Sequence, residues 1–166
     1  MSRSDTPSAP AKRSARQANG GCVCGAVRFE IDAPAVWAWH DHGAASRRAQ
    51  GSAYVTYVGS WKSRFRLLEG EDWLSRYEDV AAGTLRSFCA RCGTPLFYER
   101  ARSAKMINIP RALFVARTGR EPRYHLNLGE APDWAYRQEP LAPLKGYPGV
   151  MCERPRRKPA ALAVDI

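Results

Sequence analysis

The chain has no apolar run approaching the roughly 20 residues that a membrane-crossing helix needs. Its first twenty residues, MSRSDTPSAPAKRSARQANG, carry basic side chains with no apolar segment behind them, so they do not read as a secretory signal. These two absences set the expectation of a cytoplasmic protein. No internal repeat is visible. Lysine is scarce, five against 21 arginines, in a chain with 26 basic and 16 acidic residues. Such a bias can follow genome composition and does not by itself mark phosphate recognition. Of the net charge of +10, +3 lies in residues 1–20 and +2 in residues 153–166, so half of the excess is in terminal segments. A basic surface favours anionic ligands in general. No stretch interleaves aromatic and basic residues in a known nucleic-acid-binding pattern. Histidine is scarce as well, with three. Two of them flank an aspartate in HDHGAASRRAQGS (40–52).

What is present describes one domain. The chain has 166 residues, enough for a real core, with 45% hydrophobic and 25% charged residues. Residues 1–19 are rich in Ser, Ala, Pro and Arg without apolar periodicity, and residues 151–166 resemble them. Both are expected to be disordered basic tails around a domain spanning 20–150. Within that body short strand patterns dominate. AVRFEID (26–32) alternates Val27, Phe29 and Ile31 against Arg28, Glu30 and Asp32. Similar runs, rich in β-branched or aromatic residues, occupy 53–59, 64–70, 73–79, 84–89, 95–99, 105–109 and 124–128, punctuated by Gly and Asp. Helix is expected only near 44–50 and 110–115. The pattern predicts a mostly β domain of short strands.

Of five cysteines, four form two close pairs: Cys22 and Cys24 in GGCVCGAV, Cys89 and Cys92 in FCARCGTPL. In a reducing compartment such pairs are more often zinc ligands than disulfides. Four thiolates complete a tetrahedral zinc site, and Gly25 and Gly93 directly after the pairs let the backbone turn. The competing reading is two redox-active or buried pairs. A zinc here would tie the first strand to a hairpin some 65 residues later. Its coordination shell would be closed, which suits a structural role.

GGCVCGAVRFE, SRRAQGSAY, FCARCGTPLFYE and a histidine followed nine residues later by tryptophan (His125, Trp134) resemble, in order, the glutathione-dependent formaldehyde-activating enzyme family, also called the CENP-V/GFA domain. The resemblance implies a Mss4-like fold of short antiparallel strands. It implies a structural zinc on Cys22, Cys24, Cys89 and Cys92. It implies carbon–sulfur lyase chemistry, the combination of glutathione with formaldehyde to S-hydroxymethylglutathione. It also implies a second, catalytic zinc held by a segment C-H-C-x-x-C-R-R-x-x-G. Here His42, Arg47, Arg48 and Gly51 match that segment, but its three cysteine positions are Asp41, Gly43 and Ser46. Gly43 offers no ligand and a serine hydroxyl does not ionise near neutral pH, so one structural zinc and no catalytic zinc are expected. A rebuilt site on His40, Asp41 and His42 is the alternative, although strand alternation points Asp41 away from both histidines.

Arg47, Arg48 and His42 are the candidates for binding a small thiol or glutathione-like ligand. The arginines would grip a carboxylate by bidentate contact, against a reading as a structural or solvated pair. His125 reads as a packed strand residue. The five tryptophans read as core, with Trp37 or Trp39 walling a pocket. Cys152 carries no sign of activation. Three functions compete: a family member that binds a thiol adduct with its chemistry weak or lost, an active lyase with a rebuilt metal site, and a non-enzymatic binding module.

Overall fold

The computed structural model describes residues 16–135 and 141–154. Among them run twelve strands: β1 (Arg16–Gly21), β2 (Arg28–Ala33), β3 (Trp37–Asp41), β4 (Val55–Trp61), β5 (Phe65–Glu69), β6 (Leu74–Asp79), β7 (Thr84–Cys89), β8 (Pro95–Arg100), β9 (Met106–Pro110), β10 (Tyr124–Leu126), β11 (Leu141–Pro143) and β12 (Val150–Glu153). The one α-helix among these residues, α1 (Ala44–Gln50), follows β3. It ends at Gly51, whose φ of 62° is the left-handed cap that glycine adopts without penalty.

The strands make two sheets. One has the order β1-β2-β5, and the other β11-β12-β10-β3-β4-β9-β8-β7-β6. Pairing is antiparallel except between β10 and β3, which run parallel with His125 beside His40. The alternation in β2 does what the pattern requires: Phe29 and Ile31 are fully buried, while Glu30 and Asp32 on the other face pair with Arg66 of β5. The main core lies between the sheets. Ala18, Phe29 and Ile31 from the small sheet meet Val58, Leu96, Ile107 and Ile109 from the large one. Each fully buried large aliphatic or aromatic side chain there contributes about 1.5–3 kcal/mol. A second cluster of Trp39, Val55, Tyr57 and Tyr98 covers the opposite face of the large sheet.

The mostly β class, the strands at 84–89 and 95–99 and the helix at 44–50 agree with expectation. Several details do not. The first strand begins at Arg16, inside the expected N-terminal tail, and pairs along the whole of β2. Residues 1–15 lie outside the described residues. The last strand, β12, holds Cys152 inside the expected C-terminal tail, between β11 and β10. The turn or two of helix expected near 110–115 is a 3₁₀ turn at Arg111–Leu113. The strand WAWHD (37–41) reads poorly from its sequence because its two faces enter different environments. Of the tryptophans only Trp39 is core. Trp61, Trp73 and Trp134 are exposed, the last at 68%, because they sit at the end of β4, in a 3₁₀ turn and in a surface turn.

Candidate functional site

The two cysteine pairs converge. The four sulfurs lie within 4.8 Å of one another, with Cys22 Sγ 3.5 Å from Cys24 Sγ and Cys24 Sγ 3.9 Å from Cys89 Sγ. A tetrahedron of thiolates at a zinc–sulfur distance of about 2.3 Å has edges of about 3.8 Å, so the cluster can hold such an ion. The backbone builds it. Gly25 and Gly93 take φ of 74° and 73° with open space where a Cβ would go, so the requirement is conformational. The Val27 amide donates to Cys22 Sγ at 3.2 Å. Thr94 joins the two turns, accepting from the Val23 amide at 3.2 Å and lying 3.1 Å from Cys92 Sγ. That hydroxyl and the Thr94 backbone hold the Cys92 thiol down at about 5. Cys24 goes the other way, to about 11: the Ala26 amide lowers it, but desolvation and its three thiol neighbours raise it more. Four thiols this close do not all ionise unless a cation sits among them.

The end of β3 carries the other candidate residues, divided by strand alternation. Asp41 is 1% exposed. Its Oδ1 accepts from the Gly43 amide at 3.0 Å and from Asn127 Nδ2 at 2.8 Å, and its Oδ2 from Ser46 Oγ at 2.7 Å. Arg100 Nη2 lies 4.0 Å from Oδ2. The three positions 41, 43 and 46 are therefore tied to one another through one carboxylate. A cavity of about 520 Å³ opens over them, lined by Asp41, Ser46, Arg86, Arg100, Arg102 and Asn127 among others. The Arg86 and Arg100 guanidinium groups each lie 5.2 Å from the Tyr98 ring centre. Burial pushes the phenols of Tyr98 and Tyr57 up, so both stay protonated. The cavity thus presents three arginines beside the carboxylates of Asp41 and Glu130.

Arg47, Arg48 and His42 do not line this cavity. Arg47 donates to the carbonyls of His42 at 3.0 Å and Glu130 at 3.1 Å, locking α1 to the turn at 128–130. Arg48 is exposed on the helix. His42, 1% exposed, has its Nε2 3.0 Å from His125 Nδ1. The basic groups that do reach the cavity, Arg86, Arg100 and Arg102, sit on or just beyond β7 and β8. Only their alternation with apolar neighbours could have marked them in the sequence. Trp37 and Trp39 wall a second, apolar cavity of about 330 Å³ with Met106, Leu126 and Tyr147. Trp37 is stacked on Tyr124 at 4.4 Å.

The histidines occupy the opposite face of β3. His40 Nδ1 lies 2.9 Å from Thr56 Oγ1, and its ring centre lies 4.8 Å from that of His125. Burial, reinforced by His125, pushes His40 down to about 4. His125 Nε2 lies 3.6 Å from Glu153 Oε1. His125 therefore belongs to a polar cluster. Asp41 does not join it, so the trio His40, Asp41 and His42 is not assembled.

No helix among the described residues is long and apolar enough to cross a membrane. A Rhodobacter sphaeroides protein of known crystal structure shares the fold, with a TM-score of 0.51 at 21% identity over 60% of this chain and 89% of that one. The family model for the glutathione-dependent formaldehyde-activating enzyme matches residues 17–129, which contain both cysteine pairs, the 41–51 segment and His125. With that match spanning more than half of its length, the chain belongs to the glutathione-dependent formaldehyde-activating enzyme family.

Proposed function

We propose that this protein is a zinc-bound family member that binds a small anionic thiol, glutathione-like in character, and in which the family's carbon–sulfur lyase reaction is weak or lost. Cys22, Cys24, Cys89 and Cys92 would hold the structural zinc, which supplies a cross-link between β1–β2 and the β7–β8 hairpin. The single observation that carries the reading is the fate of Asp41. At the second metal's positions the carboxylate is already held by three donors, Gly43 has no side chain, and Ser46 spends its hydroxyl on Asp41. This donor set does not fit a zinc ion. A cytoplasmic location accords with paired thiols.

The cavity over Asp41 suits an anion. Arg86, Arg100 and Arg102 offer charge-assisted hydrogen bonds to a carboxylate. An active lyase with a metal on His40, Asp41 and His42 gains no support, since alternation sends Asp41 to the other face. A purely binding role, with no residual chemistry, is the second reading, favoured by a cavity in which three arginines outnumber the two carboxylates.

The test is the rate of adduct formation between glutathione and formaldehyde, followed by NMR exchange, with zinc-replete protein. The wild type is expected to leave the spontaneous rate unchanged. The variant Asp41→Cys/Gly43→Cys/Ser46→Cys is expected to hold one zinc more than the wild type. A Cβ at Gly43 would meet Asn127 Nδ2 at 3.0 Å, so that exposed amide, which loses its Asp41 acceptor in the variant, must give by a few tenths of an ångström. Clear acceleration by the wild type would overturn the reading. Glutathione binding should weaken about tenfold in Arg100→Ala, the scale of one hydrogen bond to a charged group.

A further inference from the structure

Three strands that are far apart in sequence bring two imidazoles and a carboxylate to one spot. β10 lies parallel to β3 with His125 directly beside His40. β12 runs antiparallel to β10 with Met151 opposite His125, so Glu153, two residues on, projects from the same face. One ligand atom each from His40, His125 and Glu153 lies within 4.8 Å of the others. We infer that His40, His125 and Glu153 form a binding site for a divalent transition-metal ion, separate from both the thiol cluster and the cavity over Asp41.

The surroundings of the imidazoles support this. A metal-bound histidine is held in orientation by a partner on its other ring nitrogen. His40 Nδ1 is 2.9 Å from the Thr56 hydroxyl, and His125 Nδ1 is 3.0 Å from His42 Nε2. These contacts assign Nε2 of each ring to the ion, and His125 Nε2 is the nitrogen that faces Glu153 Oε1 at 3.6 Å. Two neutral imidazoles and one carboxylate are the donor set of zinc, cobalt, nickel or ferrous ions, and three ligands leave positions open for water or substrate. An entry path exists, because the Glu153 side chain is 34% exposed and that of His125 13%. His42 keeps a role here as the residue that orients His125. The thiol cluster offers only sulfur, and Asp41 is on the other face, so neither substitutes for this site.

The experiment is a calorimetric and absorption titration of the full chain with cobalt(II), after the thiol cluster has been filled with zinc. One further equivalent is expected to bind. His125→Ala and Glu153→Gln should weaken it at least tenfold, and Thr56→Val about tenfold through the orientation of His40. Glu153→Gln is isosteric and half-exposed, and circular dichroism would verify that the fold is intact. Absence of a further equivalent in the wild type would overturn the inference, as would uptake that Glu153→Gln and His125→Ala leave unchanged. Asp41→Asn separates this site from the proposed function. An ion lost in Asp41→Asn but kept in Glu153→Gln would sit at the family's second position and overturn both readings. An ion kept in Asp41→Asn supports this one.

Discussion

Two regions of the molecule face the same task and solve it with different chemistry. At the four-cysteine cluster and at residues 41–46, a sharp turn must be tied to a distant part of the large sheet. In the first region four sulfurs converge within 4.8 Å, and thiols make poor hydrogen bonds to one another. A cation among them would satisfy all four at once. In the second, one carboxylate collects Gly43, Ser46 and Asn127 at 2.7–3.0 Å and needs no cation to do so. The difference shows that a sharp turn can be tied down either by converging thiols that a cation would join or by one buried carboxylate that accepts from the donors around it. A carboxylate used in this way has its lone pairs committed to those donors.

The comparison is broken most directly by removing the first solution. Chelation, or Cys89→Ser, should abolish cooperative unfolding, because structural zinc sites bind on the order of 10 kcal/mol tightly and that energy is folding energy. Thermal denaturation with and without chelator measures it. Removing the second solution should cost less. Asp41→Ala leaves three donors, two of them on buried residues, without an acceptor and should destabilise the fold by about 2–3 kcal/mol in urea, with zinc content unchanged. Asp41→Asn keeps part of the acceptor capacity and should cost about 1 kcal/mol.

The two adjacent arginines sharpen the comparison further. Arg47→Ala removes two hydrogen bonds to carbonyls and should cost about 1–2 kcal/mol, whereas Arg48→Ala should stay within about 0.5 kcal/mol. A small, pH-dependent effect belongs to an ion pair on the outer face of the small sheet. Arg66 pairs with Glu30 and Asp32, and its carboxylate partner Asp32 is held below the usual carboxylate range by Arg66. That contribution is present above the ordinary carboxylate pKa and is lost as the pH falls through the lowered value. Arg66→Ala should cost little at neutral pH, because the guanidinium is partly open to solvent.

Much of this was legible before any fold was known. The cysteine spacing and the glycines behind each pair marked the thiol cluster, because turn geometry is a local property. The helix at 44–50 and the strands with strict alternation were equally local. The weak points were β3 and the terminal strands. Trp37, Trp39 and Asp41 share one face of β3 and Ala38 and His40 the other, so neither face looks uniformly apolar. Strand β12 is short, lies in a basic stretch, and exists because β10 and β11 pair with it. The expected ligand-binding arginines illustrate the same limit. Arg47 and Arg48 sit beside the altered segment in sequence, yet Arg86, Arg100 and Arg102 are the ones that reach the cavity.

By itself, the sequence determined which residues could bond to a metal, which turns would present them, and that His40 and Asp41 point to opposite faces of one strand. These follow from short-range sterics: the two-residue period of a strand and the positive φ that glycine allows. Only the tertiary structure decided what each of them meets. Asn127 reaches Asp41 across 86 residues, and His125 reaches His42 across 83. The parallel register of β10 on β3 sets both meetings at once. Register is fixed by the burial of whole sheet faces, so no local stretch of the chain contains it.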